Sequence, residues 1–331
     1  MKKTGKFVIS LDFELLWGVR DKKTPDTYGR NILGVWEAVP KMLETFEKHK
    51  IKGTWATVGF LFASSKKELL GYCPSNKPDY VNKNLSPYNG HFELLKEIEE
   101  KDKYHFASKL IDLILKYPEQ EIATHTFSHY YCLEHGQTKE DFKNDTLAAI
   151  KIAMKKNVKI QSLVFPRNQF NDEYLEIIED LGITSYRGNE RIWFHNAANV
   201  EEGNLKKRAF RLLDTYINIS GHNSYSLEEI GTKEPYDIPS SRFLRPYSSK
   251  LKLLEGLRLR RILKSMTYAA KRGEVFHLWW HPHNFGINQK ENINFLNKIL
   301  KHYTFLNNKY SFESLSMKDL STIISKKELN G

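Results

Sequence analysis

Two carboxylates one residue apart close the apolar run "FVISLDFE", Phe7 to Glu14. Side chains alternate along a strand, so Asp12 and Glu14 project together from its carboxyl end, where two like charges need a proton or a cation between them. "EIATHTFSHYY" supplies a partner for the cation. Its His125 and His129, four residues apart just after a second strand-like run, stack on one face of a turn or helix and can grip one ion. Two imidazoles and one carboxylate leave positions open on a divalent ion, the pattern of a catalytic rather than a structural site. One carboxylate then binds the ion, and the other stays ionised beside it, free to take a proton from water.

Two further stretches carry chemistry. "FHLWWHPHNF" brings a strand-like run to His281, followed by Pro282 and His283; an imidazole, with an unperturbed pKa of about 6.5, can hand a proton to a leaving amine. His277, at the start of that run, reads as a packing residue. In "SLVFPRNQFN" another run enters a polar turn, where Arg167 can hold the free carboxylate by a bidentate ion pair and a backbone N–H of the 167–169 turn can meet an oxyanion.

These residues meet only if strands deliver them to one rim. Short β-branched and aromatic runs predict strands at Phe7–Leu11, Gly53–Val58, Glu121–Thr124, Ser162–Phe165, Ser185–Arg187, Arg211–Ile219 and Val275–Trp280. Periodicity predicts helices at Trp36–Lys50, Phe92–Glu100, Phe106–Tyr117, Lys139–Lys156, Asn171–Asp180, Leu251–Ala270 and Glu291–His302. This alternation argues for parallel βα units in an α/β barrel or a doubly wound sheet, and in a barrel the carboxyl ends of the strands share one rim. The chain reads as a single domain, 1–331, with a surface insertion at about 64–90 and a C-terminal helical extension at about 286–331.

With 331 residues, 40% hydrophobic and 13% aromatic, the chain is globular rather than disordered. Its two cysteines, Cys73 and Cys132, form no CxxC, so neither a disulfide framework nor a thiolate zinc site is indicated. The apolar run before Asp12 is too short for a signal peptide and none reaches the ~20 residues of a membrane span, so a cytoplasmic protein is expected. The net charge of +11 turns attention to anionic partners, although no nucleic acid is expected. The basic residues concentrate in Leu251 to Arg272, where Arg258, Arg260, Arg261 and Lys264 crowd between apolar positions. Such a helix could rest on an anionic membrane or meet a phosphate; an ordinary core-packed helix with a solvated basic face is the competing reading.

Taken in order, "SLDFE", "GTWATVGF", "EIATHTFSH", "FPRN" and "LWWHPH" resemble the successive motifs of the polysaccharide deacetylases of carbohydrate esterase family 4, from the N-terminus to about His283. The first motif has the D-x-E spacing of a variant branch where the family usually has adjacent aspartates, and Pro166 precedes Arg167 where the usual order is the reverse. The resemblance implies a distorted (β/α)7 barrel and a divalent metal, commonly zinc. It implies Asp12 as general base, Glu14, His125 and His129 as metal ligands, Arg167 as the tether of Asp12 and His281 as general acid. Trp17, Trp280, His283 and Asn168, beside these motifs, are then expected to touch substrate.

The expected activity is metal-dependent removal of an N-acetyl group from a sugar. With no export signal, the expected substrate is a cytoplasmic, nucleotide- or lipid-diphosphate-linked precursor of a surface glycan, with peripheral contact to an anionic membrane. Three alternatives compete: an allantoinase-like cyclic amidohydrolase, an iron oxygenase on the same ligand set, and a non-catalytic glycan- or membrane-binding protein on the same scaffold.

Overall fold

The first strand, β1 (Lys6–Phe13), is buried along its whole length, as a strand flanked by parallel neighbours and covered on both faces must be. In this computed structural model the described residues are 3–195, 205–231 and 233–328. Eight more strands follow in them: β2 (Gly53–Thr57), β3 (Glu121–Thr124), β4 (Ser162–Val164), β5 (Ser185–Arg187), β6 (Tyr236–Asp237), β7 (Arg242–Phe243), β8 (Val275–Trp280) and β9 (Glu313–Leu315). All pair in parallel in the order β6-β5-β4-β3-β2-β1-β8-β7, and β9 also pairs with β1. The sheet curls into a half-barrel with helices outside it, the (β/α)7 barrel expected from the sequence.

Alternation along β1 divides the labour. Phe7, Ile9, Leu11 and Phe13 join the core shared with the helices Val35–His49 and Gln289–Tyr310. Burying each such side chain contributes about 1.5–3 kcal/mol. Val8 joins Ala56, Ala123 and Val164 in a second apolar cluster, inside the curl, which Met317, Leu320 and Ile324 of the helix Met317–Glu328 complete. Ser10 and Asp12 lie on the same parity as Val8, so the inward stripe turns from apolar to polar toward the carboxyl end. Between β6 and β7, Ser240 N–H donates to Gly188 O and Ser241 N–H to His277 O, which joins the two ends of the sheet.

Strands β1 to β5 and β8 fall within two residues of the predicted runs. Arg211–Ile219, predicted as a strand, is instead the end of a helix, Leu205–Asp214, and the turn after it. Phe92–Glu100, predicted as a helix, holds two single 3₁₀ turns, Phe92–Leu94 and Glu99–Lys101, joined by extended backbone at Leu95. The insertion at 64–90 contains a helix, Lys66–Tyr72, capped by Ser65. The C-terminal segment is more than helical, because β9 pairs with Lys6–Val8; its residues 329–331 lie outside the described ones.

The basic helix also differs from expectation. In Glu255–Arg272, Arg258 and Arg261 point inward and are buried, and only Arg260 and Lys264 keep the solvated basic face. Arg258 pairs with Glu255 and lies over the Phe295 ring, and Arg261 donates to Ser265 Oγ at 2.7 Å. Their long stems and paired heads make them packing residues, which removes two of the four charges from any lipid-facing surface. No helix of the described residues is long and apolar enough to cross a membrane.

Candidate active site

The carboxyl ends of the strands open into a cavity of about 400 Å³ whose walls include Asp12, Glu14, His129, Asn168, His281 and His283. Asp12 leaves β1 on its inward face, and Glu14 follows one residue after the strand ends. Glu14 can fold back here because residue 18 is glycine: a Cβ at Gly18 would stand 1.9 Å from the Glu14 carboxyl carbon.

The two histidines come from the turn after β3, where Thr126 and His129 have φ of +60° and +57°. Non-glycine residues hold this left-handed conformation only where neighbours enforce it. Asp145, buried in the helix Lys139–Met154, does so by accepting from Phe127 N–H at 2.7 Å, Ser128 N–H at 3.2 Å and the Ser128 hydroxyl. Thr126 Oγ1 accepts from Tyr130 N–H at 2.7 Å. His125 Nδ1 lies 2.7 Å from Val164 O, and His129 Nδ1 lies 3.2 Å from the Tyr131 hydroxyl. Both Nε2 atoms therefore face Glu14, whose Oε2 is 3.0 Å from His129 and 3.4 Å from His125.

Three donor atoms from Glu14, His125 and His129 thus lie within 4.8 Å of one another. Two imidazole nitrogens and one carboxylate oxygen, each imidazole oriented through its other nitrogen, fit a divalent transition metal such as zinc. Burial pushes the His129 pKa down to about 3, so it is neutral and its nitrogen is free to ligate. Burial alone would raise the Glu14 carboxyl, but the neighbouring imidazoles of His281, His125 and His129 hold it well below the usual carboxylate range.

Asp12 stands beside this set and takes no part in it. Its two oxygens are gripped by Arg187, Nη1 to Oδ1 at 2.6 Å and Nη2 to Oδ2 at 2.8 Å. Burial works to raise the Asp12 carboxyl, and the Arg187 guanidinium more than offsets it, leaving the group ionised. Arg187 also donates to Ser10 Oγ at 3.0 Å and Asn168 Oδ1 at 2.9 Å and lies 4.2 Å from the Trp279 ring centre. His281 Nε2 is 3.7 Å from both Asp12 Oδ2 and Glu14 Oε1. His283 stacks on His281 with ring centres 5.0 Å apart, its Nδ1 3.7 Å from Glu14 Oε1. His277 is fully buried, with Nε2 2.8 Å from Ser10 Oγ, the packing role expected of it.

Three predicted site residues sit elsewhere than expected. Arg167 does not reach Asp12; it pairs with Asp21 at 2.6 Å and covers the Tyr131 ring, because residues 167 and 168 both turn through positive φ and send its side chain away from β1. Trp280 is fully buried against Phe46 and Phe285, since the alternation of β8 sends residue 279, not 280, to the cavity. Trp17 is buried with its indole N–H donating to His105 O at 2.8 Å. The Asn168 and Gln169 N–H groups donate within their own turn, to Phe165 O and Pro166 O, which removes them as oxyanion donors. Asn168 and His283 do line the cavity, together with Phe243, Trp279 and Tyr28, which the reading of the sequence passed over. Arg187 was passed over too, although "ITSYRGNE" places an arginine at the end of a predicted strand, on the same rim.

The polysaccharide deacetylase family model matches residues 27–186. No curated protein matches the chain in sequence. Among solved structures, a Mycobacterium smegmatis protein classed with the polysaccharide deacetylases is similar at 11% identity and a TM-score of 0.61, over 99% of this chain and 92% of that one. Puue allantoinase is similar at 8% identity and a TM-score of 0.54, over 96% and 88%. The 4-alpha-glucanotransferase of Thermococcus litoralis is similar at 11% identity and 0.52, over 97% of this chain and 40% of that one. At such identities the likeness is one of fold, and the chemistry has to be argued from the site.

Proposed function

We propose that this chain, whose residues 27–186 match the polysaccharide deacetylase family model, is a metal-dependent hydrolase that removes an N-acetyl group from a sugar. The observation that supports this most is the separation of roles at one rim: a three-donor metal set, an ionised aspartate outside it held by Arg187, and His281 within 3.7 Å of both carboxylates. A zinc or similar divalent ion on Glu14, His125 and His129 would supply Lewis-acid polarisation of the amide carbonyl and of a water molecule.

Asp12 takes the proton of the attacking water, and Arg187 keeps its carboxylate aimed and charged until then. His281 can protonate the departing nitrogen, a step an amide cannot do without because an unprotonated nitrogen would have to leave as an amide anion. Trp279, Phe243 and Tyr28 form an aromatic wall against which a sugar ring can lie. We assign the substrate to the cytoplasmic precursors of a surface glycan, carried on a nucleotide or a lipid diphosphate.

Acetate release from a panel of free, nucleotide-linked and lipid-linked N-acetyl sugars, with and without zinc after chelation, tests this reading. Zinc-dependent acetate release is expected, falling about 10²–10⁴-fold in Asp12→Asn and in His281→Ala. Ring opening of a cyclic amide without acetate release, oxygen-dependent turnover with iron, or normal turnover in those variants would overturn it.

A further inference from the structure

Next to the catalytic cavity, and sharing the wall formed by Asn168, Phe243 and Trp279, lies a second cavity of about 210 Å³ lined by Glu190, His195, Arg211, Thr215, Arg242 and Arg245. Among the described residues its charge does not balance. Asp214 is ionised and buried, and it accepts from both Arg242 and, at 3.5 Å, Arg261. One carboxylate therefore answers for two guanidiniums. Arg211 spends its Nε on Phe194 O, a neutral acceptor. Among the described residues Arg245 makes no ion pair, and the Nε of Arg242, a residue only 5% exposed, has no hydrogen-bond partner. Glu190, the one carboxyl among the described residues that lines the cavity, accepts from Asn223 at 2.7 Å and lies 3.6 Å from His195 Nε2, and burial pushes its pKa up to about 7, so near neutral pH it carries only part of a charge.

Arg242 is buried and Arg211 and Arg245 are half-buried, so this excess of positive charge is partly desolvated, which is costly unless an anion offsets it. Arginine rather than lysine, in numbers, beside an aromatic wall, is the chemistry that recognises phosphate oxygens through paired N–H donors. We propose that this arginine cavity is a phosphate subsite, which binds the phosphate of a glycosyl-phosphate substrate while its acetamido group lies at Asp12 and His281. The inference rests on the deacetylase reading for what the phosphate is attached to, but not for the binding of phosphate itself. It moves the contact with anionic substrate from the outer face of the helix Glu255–Arg272 to a pocket beside the reacting centre.

Calorimetric binding of inorganic phosphate, N-acetylglucosamine 1-phosphate and unphosphorylated N-acetylglucosamine to the zinc-loaded protein tests it. The sugar phosphate is expected to bind at least tenfold tighter than either part. Arg245→Gln and Arg211→Gln are each expected to weaken it about tenfold or more, and Arg260→Gln, on the exposed face, not to change it. These two positions are chosen because neither is locked to Asp214, as Arg242 is. Phosphate binding indifferent to both variants would place the anion on the metal and overturn the subsite, as would tighter binding of a sugar carboxylate such as glucuronate. Phosphate binding that responds to the variants in a protein that releases no acetate would sink the deacetylase reading and leave the subsite standing. In turnover, the Arg245→Gln loss is expected in KM for the phosphorylated sugar. Comparing nucleotide-linked with vesicle-borne lipid-linked sugars then tells which carrier the phosphate comes from, and preference for either supports the subsite.

Discussion

Arg187 and Asp12 meet end-on, the two Nη atoms of the guanidinium each on one carboxylate oxygen, at 2.6 and 2.8 Å in a buried setting. A lysine can make only a single-point contact there, so the pair is specific to arginine. Arg187→Lys is expected to keep the fold and to cut the rate of acetate release about 10²-fold, with the loss in kcat. Arg187→Ala leaves a buried carboxylate alone and is expected to cost about 3–5 kcal/mol of stability in urea unfolding as well. Arg167→Gln, which loses the contacts with Asp21 and the Tyr131 ring but none with Asp12, serves as the contrast and is expected to cost less than tenfold. A larger loss at Arg167 than at Arg187 would restore the tether that the motif order suggests.

Gly18 touches the site without contributing a side chain. Since a Cβ there would stand 1.9 Å from the Glu14 carboxyl carbon, Gly18→Ala is expected to displace Glu14 and weaken zinc binding about 10–100-fold, the scale of a perturbed ligand support. Competition against a chromogenic chelator reads it directly. Unchanged affinity would mean that Glu14 is not a ligand.

Asp145 holds the metal-binding turn by accepting from two backbone amides and a hydroxyl. Asn offers a single acceptor oxygen in its place, so Asp145→Asn is expected to relax the positive-φ turn and lower zinc affinity about tenfold or more, with little change in secondary structure. Circular dichroism together with zinc titration separates the two effects.

The buried His277 gives a signed pH dependence. Burial pushes its pKa down to about 3 in the folded protein, whereas an imidazole in an unfolded chain titrates at about 6.5. Between those values the unfolded state binds a proton the native state cannot. Stability is therefore intact above about pH 6.5 and falls as the pH drops below it, by up to about 1.4 kcal/mol per pH unit. Urea unfolding at pH 7 and pH 5 is expected to show a loss that shrinks by about 2 kcal/mol in His277→Gln. An equal loss in the variant would mean that His277 already carries its proton in the native state.

Much of this arrangement was legible in the residues. The inward parity of Asp12, the spacing of His125 and His129 and the position of His281 follow from strand alternation and the common rim of a barrel, and the structure brings them within one cavity or onto its floor. Arg187 was equally well placed at a strand end, but the motif order drew the tether to Arg167, and nothing local in "FPRN" reveals that the turn after Pro166 runs through positive φ. Trp279 and Trp280 are adjacent and identical, so only the register of β8 against β1, Ser10 opposite Trp279, decides which one faces the cavity. Leu205–Asp214 looked extended from Arg211 onward because Leu212, Leu213, Ile217 and Ile219 are apolar, yet these side chains stay well exposed, an outcome that hydrophobic patterning does not anticipate.

The pairing of β9 with Lys6–Val8 has a bearing on the order of assembly. The strand that bears Asp12 precedes the other strands of the sheet in the chain, but its lower edge stays bare on one side until residue 315 has left the ribosome. The apolar plug inside the curl waits for Met317, Leu320 and Ile324 in the same way. Removing everything after Tyr310 is thus expected to disable a catalytic cavity that none of the deleted residues lines. Competence for chemistry at one mouth of the barrel is conferred last, from the opposite mouth.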